Sequence, residues 1–197
     1  MIYLVRHGQT EFNRDKRLQG QCDSPLTELG MEQARRMGTH LKALVDDHAR
    51  WQMIASPLGR AAHTARIIRE TIGLQSEIRH DPRIQELHVG EWEGFNHAEI
   101  EAAGGVTREP GWLLRSPGGE RHGDIVARVT EFLNEIDETD GMNRIVVSHG
   151  ITGRILRGIY TKSTPEQIWG HTPPPQDAVF HLSGGAVRRI DIQEEAA

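Results

Sequence analysis

The stretch Met1-Ile2-Tyr3-Leu4-Val5-Arg6-His7-Gly8 opens the chain and decides its fold class. Its first five residues are a short apolar, β-branched run, which predicts a buried strand. The run breaks at once into a cation, an imidazole and a glycine. Ligands of open α/β sheets bind at the carboxyl ends of the strands. Arginine offers a planar fork for phosphate or carboxylate, and histidine serves as nucleophile or proton carrier. We therefore expect a site that binds an anion and catalyses a reaction.

The composition is that of an ordinary globular chain and predicts neither a nucleic-acid nor a membrane partner. Hydrophobic residues make up 37% of the 197 residues, charged residues make up 26%, and the net charge is −5. This acidic balance gives no support for a surface that binds nucleic acid or anionic lipid. Neither a signal peptide nor an apolar run of membrane-spanning length is evident. We expect a single domain over residues 1–197, located in the cytoplasm.

Cysteine and histidine usage argues against disulfides and metals. The single cysteine, Cys22, excludes an internal disulfide framework and fits a reducing compartment. We interpret it as a small loop or surface residue rather than as a nucleophile. Although the chain has eleven histidines, it has no His-x-x-x-His pattern on a helix and no paired cysteines, so we predict no metal.

Strands and helices alternate along the chain. Further buried strands are predicted over 51–55, 75–79 and 144–147, and a hairpin over 179–192. Helices are predicted from Thr27 as N-cap, from Ser56-Pro57 as cap and first-turn pair, over 120–137 and 151–160, and after Pro165. The first helix is expected to bury Leu29, Ala34, Met37, Leu41, Leu44 and Val45. The pattern predicts a three-layer α/β/α fold, with a mostly parallel sheet covered by helices on both faces. Residues after Gln193 are predicted to be a frayed tail.

Residues 81–117 are rich in glycine and lack a clear period, apart from a short predicted helix over 97–102. A long irregular stretch in a compact domain is often a binding loop, so we predict a lid-like insertion over about 88–117. A solvated insertion is the alternative. Four apolar side chains in it could pack over an organic leaving group or form a satellite core: Trp92, Phe95, Trp112 and Leu113.

Two of the predicted buried strands end in His-Gly, at His7-Gly8 and at His149-Gly150. If both strands are central and parallel, their imidazoles converge at one edge of the sheet. Arg60 lies in the first turn of the helix after the second strand, near the same edge as Arg6. No G-x-G-x-x-G pattern follows a strand, which argues against a dinucleotide site.

The motifs occur in an order that resembles the histidine phosphatase superfamily, in its phosphoglycerate mutase-like branch. They are Arg6-His7-Gly8-Gln9-Thr10 with Asn13, Leu18-Gln19-Gly20, Ser24-Pro25-Leu26-Thr27, Ser56-Pro57-Leu58-Gly59-Arg60-Ala61 with Thr64-Ala65, Glu86 followed by Gly90-Glu91-Trp92-Glu93-Gly94, Pro117-Gly118-Gly119-Glu120, and Ser148-His149-Gly150. A lone Arg-His-Gly would be weak, but the ordered set covers most of the chain and is highly specific.

The resemblance implies a role for each matching residue. His7 is the expected nucleophile, which takes up the phosphoryl group as a phosphohistidine. Glu86 is the expected proton donor to the leaving oxygen, and later the base that activates water. The resemblance places seven residues around the phosphate: Arg6, Asn13, Gln19, Gly20, Arg60, His149 and Gly150. It implies neither a metal nor an organic cofactor.

The family contains both mutases and phosphatases, and this chain departs from the mutase pattern. Val89 stands where those mutases carry tyrosine, and Phe95-Asn96-His97 replaces a segment with lysine. Those mutases also grip the substrate carboxylate with a pair of arginines in the lid, whereas this chain has only Arg115 between Glu109 and Pro117. Arg121-His122 also departs from the phosphatases, which have serine after Gly-Gly-Glu, so recognition on this side stays open.

We predict a phosphomonoesterase that acts on a small phosphorylated metabolite without a metal or cofactor. A cofactor-dependent phosphoglycerate mutase is the main alternative, and a non-catalytic phosphate-binding module is a remote one. A homodimer is left open.

Overall fold

The computed structural model describes residues 1–105, 109, 111–136, 140–170 and 174–192. Its strands form one six-stranded sheet in the order β3-β2-β4-β1-β5-β6. The strands are β1 (Ile2–Arg6), β2 (Trp51–Ala55), β3 (Arg79–His80), β4 (Asn143–Ser148), β5 (Ala178–Ser183) and β6 (Ala186–Asp191). The first four pair in parallel, whereas β5 and β6 are antiparallel additions at one side. The predicted mostly parallel α/β sheet is confirmed.

The helices are α1 (Glu11–Arg14), α2 (Glu28–Lys42), α3 (Gly59–Ile72), α4 (His97–Ala102), α5 (His122–Glu135), α6 (Gly150–Tyr160) and α7 (Pro165–Gly170). Single 3₁₀ turns occur at 48–50, 82–84, 90–92 and 112–115. Among the described residues, no helix is long and apolar enough to cross a membrane.

Alternate residues of each central strand enter two separate cores, one on each face of the sheet. In β1, Tyr3 and Val5 pack with apolar residues of α2 and α3. Ile2 and Leu4 pack on the other face with residues of α5 and α6. Because side chains alternate across a strand, a central strand buried on both faces reads as a continuous apolar run. Helices therefore cover both faces, as the sequence predicted.

The third strand and the start of the second long helix were predicted wrongly. The strand expected over 75–79 is the two-residue β3, because this edge segment meets β2 only at its end. Ser56-Pro57 does not cap α3, which begins at Gly59 after Leu58. The backbone N–H of Ser56 still donates to Val147 O at 3.0 Å, so the sheet holds the chain there before the helix can start.

The buried face of α2 is narrower than predicted. Thr27 caps the helix as expected, but Leu29 and Leu44 are exposed, at 47% and 37%. Leu29 lies in the first turn, off the buried stripe, and Leu44 lies beyond the helix end. Helix α5 is also shorter than predicted, beginning at His122 and ending at Glu135. The predicted tail after Gln193 lies outside the described residues.

Candidate active site

The register of the parallel strands brings two histidines together at the carboxyl edge of the sheet. Arg6 lies opposite Ser148 in the pairing of β1 with β4, and the backbone N–H of His7 donates to Ser148 O at 3.0 Å. His7 and His149 therefore leave neighbouring strands side by side, with ring centroids 5.1 Å apart. The convergence expected from the two His-Gly endings is observed.

The imidazole of His7 is held in one tautomer. Its Nδ1 lies 2.8 Å from Gly8 O, so Nδ1 carries the proton and donates it. The lone pair is then on Nε2, which accepts a hydrogen bond from Arg60 Nε at 3.3 Å. Burial lowers the pKa of His7 well below its usual value, and the charges of Arg60 and Arg6 lower it further. His7 is thus a neutral base with Nε2 turned toward cations.

Arg60 is fixed by the loop that follows α1. Its guanidinium, only 1% exposed, donates to Gly20 O at 2.6 Å, to Cys22 O at 2.9 Å and to Asp23 Oδ1 at 3.3 Å. The backbone N–H of Arg60 also donates to Asp23 Oδ1. A buried cation with this many acceptors cannot change rotamer without losing several hydrogen bonds. Cys22 is half-buried and contributes its carbonyl, in keeping with a loop role.

Other predicted phosphate ligands present donors or open space to the same cavity. Arg6 donates through Nη1 to Pro174 O at 3.1 Å, while its buried Nε has no hydrogen-bond partner among the described residues. The Oδ1 of Asn13 accepts hydrogen bonds from Thr10 and Gln176, which leaves its NH₂ group as a donor. A Cβ at Gly150 would be in van der Waals contact with Arg6, 3.5 Å from its Cζ.

His149 packs against the ring of His7 and is not among the residues that line the cavity. It is fully buried, and its Nε2 is 2.7 Å from Ser56 Oγ. Burial lowers the pKa of His149 well below its usual value, with further lowering by the charge of Arg60 and by His7. The Nδ1 atom of His149 is buried and has no partner within the described part of the chain.

Glu86 is bound to the first turn of α6. Its carboxylate accepts the backbone N–H groups of Ile151 at 3.1 Å and Thr152 at 3.0 Å. Its own neighbour Leu87 donates a further N–H at 3.0 Å. The Thr152 hydroxyl donates to Gln85 O at 2.6 Å and lies 3.1 Å from Glu86 Oε1. A helix N-terminus favours a negative charge, which explains why an acid stands here. The arrangement fixes one carboxylate in the lining of the cavity that His7 also lines.

A partly buried ion pair holds the segment that carries Glu86. Arg128 of α5 pairs with Glu120, with Nε to Oε1 at 2.6 Å and Nη2 to Oε2 at 2.9 Å. The same guanidinium donates to the carbonyls of Arg83, Gln85 and Glu86. We name Glu120 and Arg128 the clamp pair, because their contacts position the backbone on both sides of Glu86.

These groups surround a cavity of about 180 Å³. Its polar lining is Arg6, His7, Asn13, Arg17, Gln19, Gly20, Arg60, Glu86 and Gly150, and its apolar lining is Leu18, Leu87, Val89, Leu113 and Ile151. Ligand pockets for drug-sized molecules span roughly 300–1,000 Å³, so this one suits a smaller ligand. The cavity thus has a cationic end and an apolar wall.

Of the four apolar side chains named in the predicted lid, one lines the cavity, where a leaving group would bind, and two pack with each other as a satellite core would. Leu113 lines the cavity. Trp92 and Trp112 instead pack together, with ring centroids 5.4 Å apart, and His97 packs on Trp112 at 5.0 Å. Phe95 is 44% exposed. Movement of residues 88–117 as a lid stays a prediction.

Three hydroxyl-bearing residues that hold the site were given no role in it by the sequence analysis. Ser56 contacts His149, and Thr152 donates to Glu86. Thr64 accepts the backbone N–H of Gly8. Ser56 and Thr64 lie within quoted motifs, which is a signal for them, whereas Thr152 lies outside the motifs. Among the described residues, no group of three or more His, Cys, Asp or Glu side chains could hold a metal ion.

Comparisons with known proteins agree with this geometry. The profile of the histidine phosphatase superfamily (branch 1) matches residues 2–184. The chain is 37% identical to the probable phosphoglycerate mutase GpmB of Enterobacter sp. (strain 638), over 98% of this chain and 85% of the relative.

Two solved structures are similar as well. Bacillus stearothermophilus YhfR superposes with a TM-score of 0.80 at 31% identity, covering 96% of this chain and 95% of that one. A mycobacterial glucosyl-3-phosphoglycerate phosphatase in complex with VO3 gives 0.74 at 28% identity, covering 96% of both. The chain belongs to the histidine phosphatase superfamily, as its motifs predicted, and is an enzyme of the phosphatase or mutase kind.

Proposed function

We propose that this protein hydrolyses a small phosphomonoester through a phosphohistidine formed at His7. The observation that carries the proposal is the state of the His7 ring. Its Nδ1 proton is held by Gly8 O, and its Nε2 lone pair lies beside the Arg60 guanidinium. A neutral imidazole next to fixed cations suits attack on phosphorus, because the same cations attract the phosphate.

In the first step, His7 Nε2 attacks the phosphorus and the bond to the ester oxygen breaks. Arg60 Nε then donates its hydrogen bond to a phosphate oxygen instead of to His7 Nε2. Arg6 Nε and the Asn13 amide donate to the other oxygens, which carry the charge of the transition state. Each such donor lowers the barrier by roughly 3 kcal/mol, judging from the removal of comparable oxyanion donors. With Ser56 donating to Nε2 of His149, the ring proton of His149 is on Nδ1.

Glu86 completes the proton balance. In its acid form it gives a proton to the leaving oxygen and becomes a carboxylate. A phosphomonoester that binds as its monoanion brings this proton, since the second phosphate pKa is near 6. Water then loses a proton to Glu86 and attacks the phosphorus, the bond to Nε2 breaks, and inorganic phosphate leaves. The backbone N–H groups of Ile151 and Thr152 keep the carboxylate in position through both steps.

The apolar wall of the cavity favours hydrolysis over transfer between two hydroxyls of phosphoglycerate. A mutase must also grip the carboxylate of its substrate. Within the cavity lining itself, the third arginine, Arg17, does not serve this purpose, because it donates to Gly94 O and pairs with Glu99. The departures at Val89 and at Phe95-Asn96-His97 support the same choice. Phosphoglycerate mutase is the second candidate, favoured by the name of the 37%-identical relative.

The experiment compares wild type with His7→Ala, and uses His48→Ala, an exposed histidine, as the matched control. We expect His7→Ala to lose both p-nitrophenyl phosphate hydrolysis and acid-labile labelling by ³²P-substrate, while the control keeps them. Hydrolysis that survives in His7→Ala would refute the proposal. Phosphate binding without turnover in wild type would support a binding module. Isomerisation of 3-phosphoglycerate faster than phosphate release would support the mutase.

The role of Glu86 is tested through the leaving group. We expect Glu86→Gln to slow alkyl phosphates much more than p-nitrophenyl phosphate, whose leaving group needs no protonation. Equal losses on both substrates would contradict the role of Glu86 as an acid.

A further inference from the structure

A second group of polar side chains lies between α5, α6 and α7, outside the phosphate-binding residues. Arg154 of α6 lies over Trp169 of α7, with Cζ 5.6 Å from the ring centroid. The ring of His122, the first residue of α5, lies 6.3 Å from the same Trp169 ring. Two potential hydrogen-bond donors therefore flank one aromatic surface.

Neither polar group is satisfied within the described part of the chain. Nε of Arg154 and Nε2 of His122 are both buried and have no hydrogen-bond partner there. Arg154 is also without an ion pair among the described residues. Four other partly buried arginines are each paired with a carboxylate: Arg17, Arg83, Arg128 and Arg144. A half-buried cation without an anion is unfavourable, so the fold retains Arg154 at a cost.

The position of Arg154 on α6 connects it with the cavity. Gly150 and Ile151 of the first turn line the cavity, and Arg154 lies one turn further along the helix face between them. Helical side chains lean toward the N-terminus, which directs Arg154 back toward that turn. Burial lowers the pKa of Arg154 and the charge of Glu86 raises it, so the guanidinium is within electrostatic range of the Glu86 carboxylate.

The same group borders the apolar wall of the cavity. Leu113 lines the cavity from the 3₁₀ turn at 112–115. Gly111, just before that turn, neighbours Trp169, since a Cβ there would be in van der Waals contact with the ring at 3.8 Å. Arg154, His122 and Trp169 do not line the cavity themselves, but the segment of Gly111 and Leu113 connects them with its apolar wall.

We propose that Arg154 and His122 form a second anion subsite, which binds an acidic group on the leaving-group part of the substrate. The inference rests on the proposed hydrolysis and narrows its substrate to phosphomonoesters that carry a second oxyanion, a carboxylate or another phosphate. The Arg154 fork binds either oxyanion through two N–H groups, and a ring N–H of His122 adds a third donor.

The test measures a ratio of kcat/KM within matched substrate pairs. 3-Phosphoglycerate and glycerol 3-phosphate differ only in a carboxylate against a neutral CH₂OH group. Propane-1,3-diol bisphosphate and its monophosphate form the second pair, which distinguishes a phosphate from a carboxylate. We expect wild type to prefer the acidic member of at least one pair by roughly ten- to a hundredfold, as charge-assisted hydrogen bonds allow.

Arg154→Gln should abolish that preference, chiefly through KM, and Arg154→Lys should restore part of it. Arg115→Gln removes an exposed arginine that pairs with Glu109, and should leave the ratio unchanged. If Arg154→Gln does not fold, His122→Phe keeps a ring beside Trp169 and should lower the ratio severalfold.

A wild-type enzyme with no preference in either pair, or an Arg154→Gln enzyme that keeps the preference, would overturn the inference. Hydrolysis of p-nitrophenyl phosphate and ³²P-labelling of wild type report the proposed function separately. If both are present and the ratio does not respond, only the subsite fails. If both are absent, the proposed function fails first.

Discussion

The two buried histidines should make the stability of the fold depend on pH near neutrality. The pKa values of His7 and His149 are both well below the usual value, because of burial first and then the charge of Arg60. In the unfolded chain each imidazole titrates near pH 6.5. As the pH falls through that value, the unfolded state binds protons that the native state does not bind. Stability is therefore full above about pH 7 and is lost on acidification.

The magnitude follows from the unfolded-state pKa. At about pH 5.5, one unit below 6.5, the fold has lost about 1.4 kcal/mol of stability for each histidine that stays neutral in the native state. The pair then loses about 2.7 kcal/mol between roughly pH 7.5 and 5.5, a large share of the 5–15 kcal/mol typical of a domain. Carboxylates do not interfere, because the pKa values of Asp81, Glu135 and Asp140 are lowered and their contributions are lost only at more acidic pH.

The assay is urea unfolding at several pH values, followed by tryptophan fluorescence. Burial and Arg66 also lower the pKa of His63, so the series is measured in a His63→Gln background. His149→Gln in that background should halve the loss to about 1.4 kcal/mol, because one titrating group remains. Replacement of the exposed His48 by Gln should leave the loss unchanged. A loss below about 1 kcal/mol in the His63→Gln parent, or an unchanged loss in His149→Gln, would refute the reasoning.

Two further predictions concern residues that hold the site. Arg128→Met leaves Glu120 unpaired in a largely buried position and should lower the free energy of unfolding by about 3–5 kcal/mol, whereas Arg189→Met, which breaks an exposed pair, should change it by less than about 1 kcal/mol. Gly8→Ala places a Cβ 2.1 Å from a backbone oxygen and should destabilise by about 3 kcal/mol. Gly123→Ala, with nothing within 4 Å, should be neutral or stabilising, and equal urea midpoints for the two glycine variants would contradict the packing argument.

The sequence could predict where the site lies because its strongest signals are local. A continuous apolar run followed by Arg6-His7 indicates both that the strand is buried and that its end is polar. The same applies to the strand before His149. Once both strands are parallel neighbours, the register leaves little freedom, and the rings meet at 5.1 Å. Arg60 was predictable for the same reason, since α3 starts soon after β2 ends.

What the sequence could not predict are features that depend on distant partners. The partner of Ser56 is His149, 93 residues away, so a local reading made Ser56 a helix cap. The clamp of Arg128 onto the Glu86 segment spans more than forty residues and follows no periodic pattern. Leu29 matched the helical period, yet the burial of α2 depends on how the helix packs against α3 and the sheet. Tertiary contacts override local propensity in each case.

One set of charges accounts for both binding and activation in this site. Arg60 and Arg6 attract a phosphate anion, and they also disfavour a proton on His7, so the nucleophile is in its reactive form wherever the anion site is intact. Arg60 can do this because Gly20, Cys22 and Asp23 already hold its guanidinium. Little reorganisation is then needed when charge develops on the phosphoryl oxygens, and preorganised charge is the largest contribution that a protein makes to such a reaction. A loop that fixes Arg60 is therefore as much part of the chemistry as His7 itself.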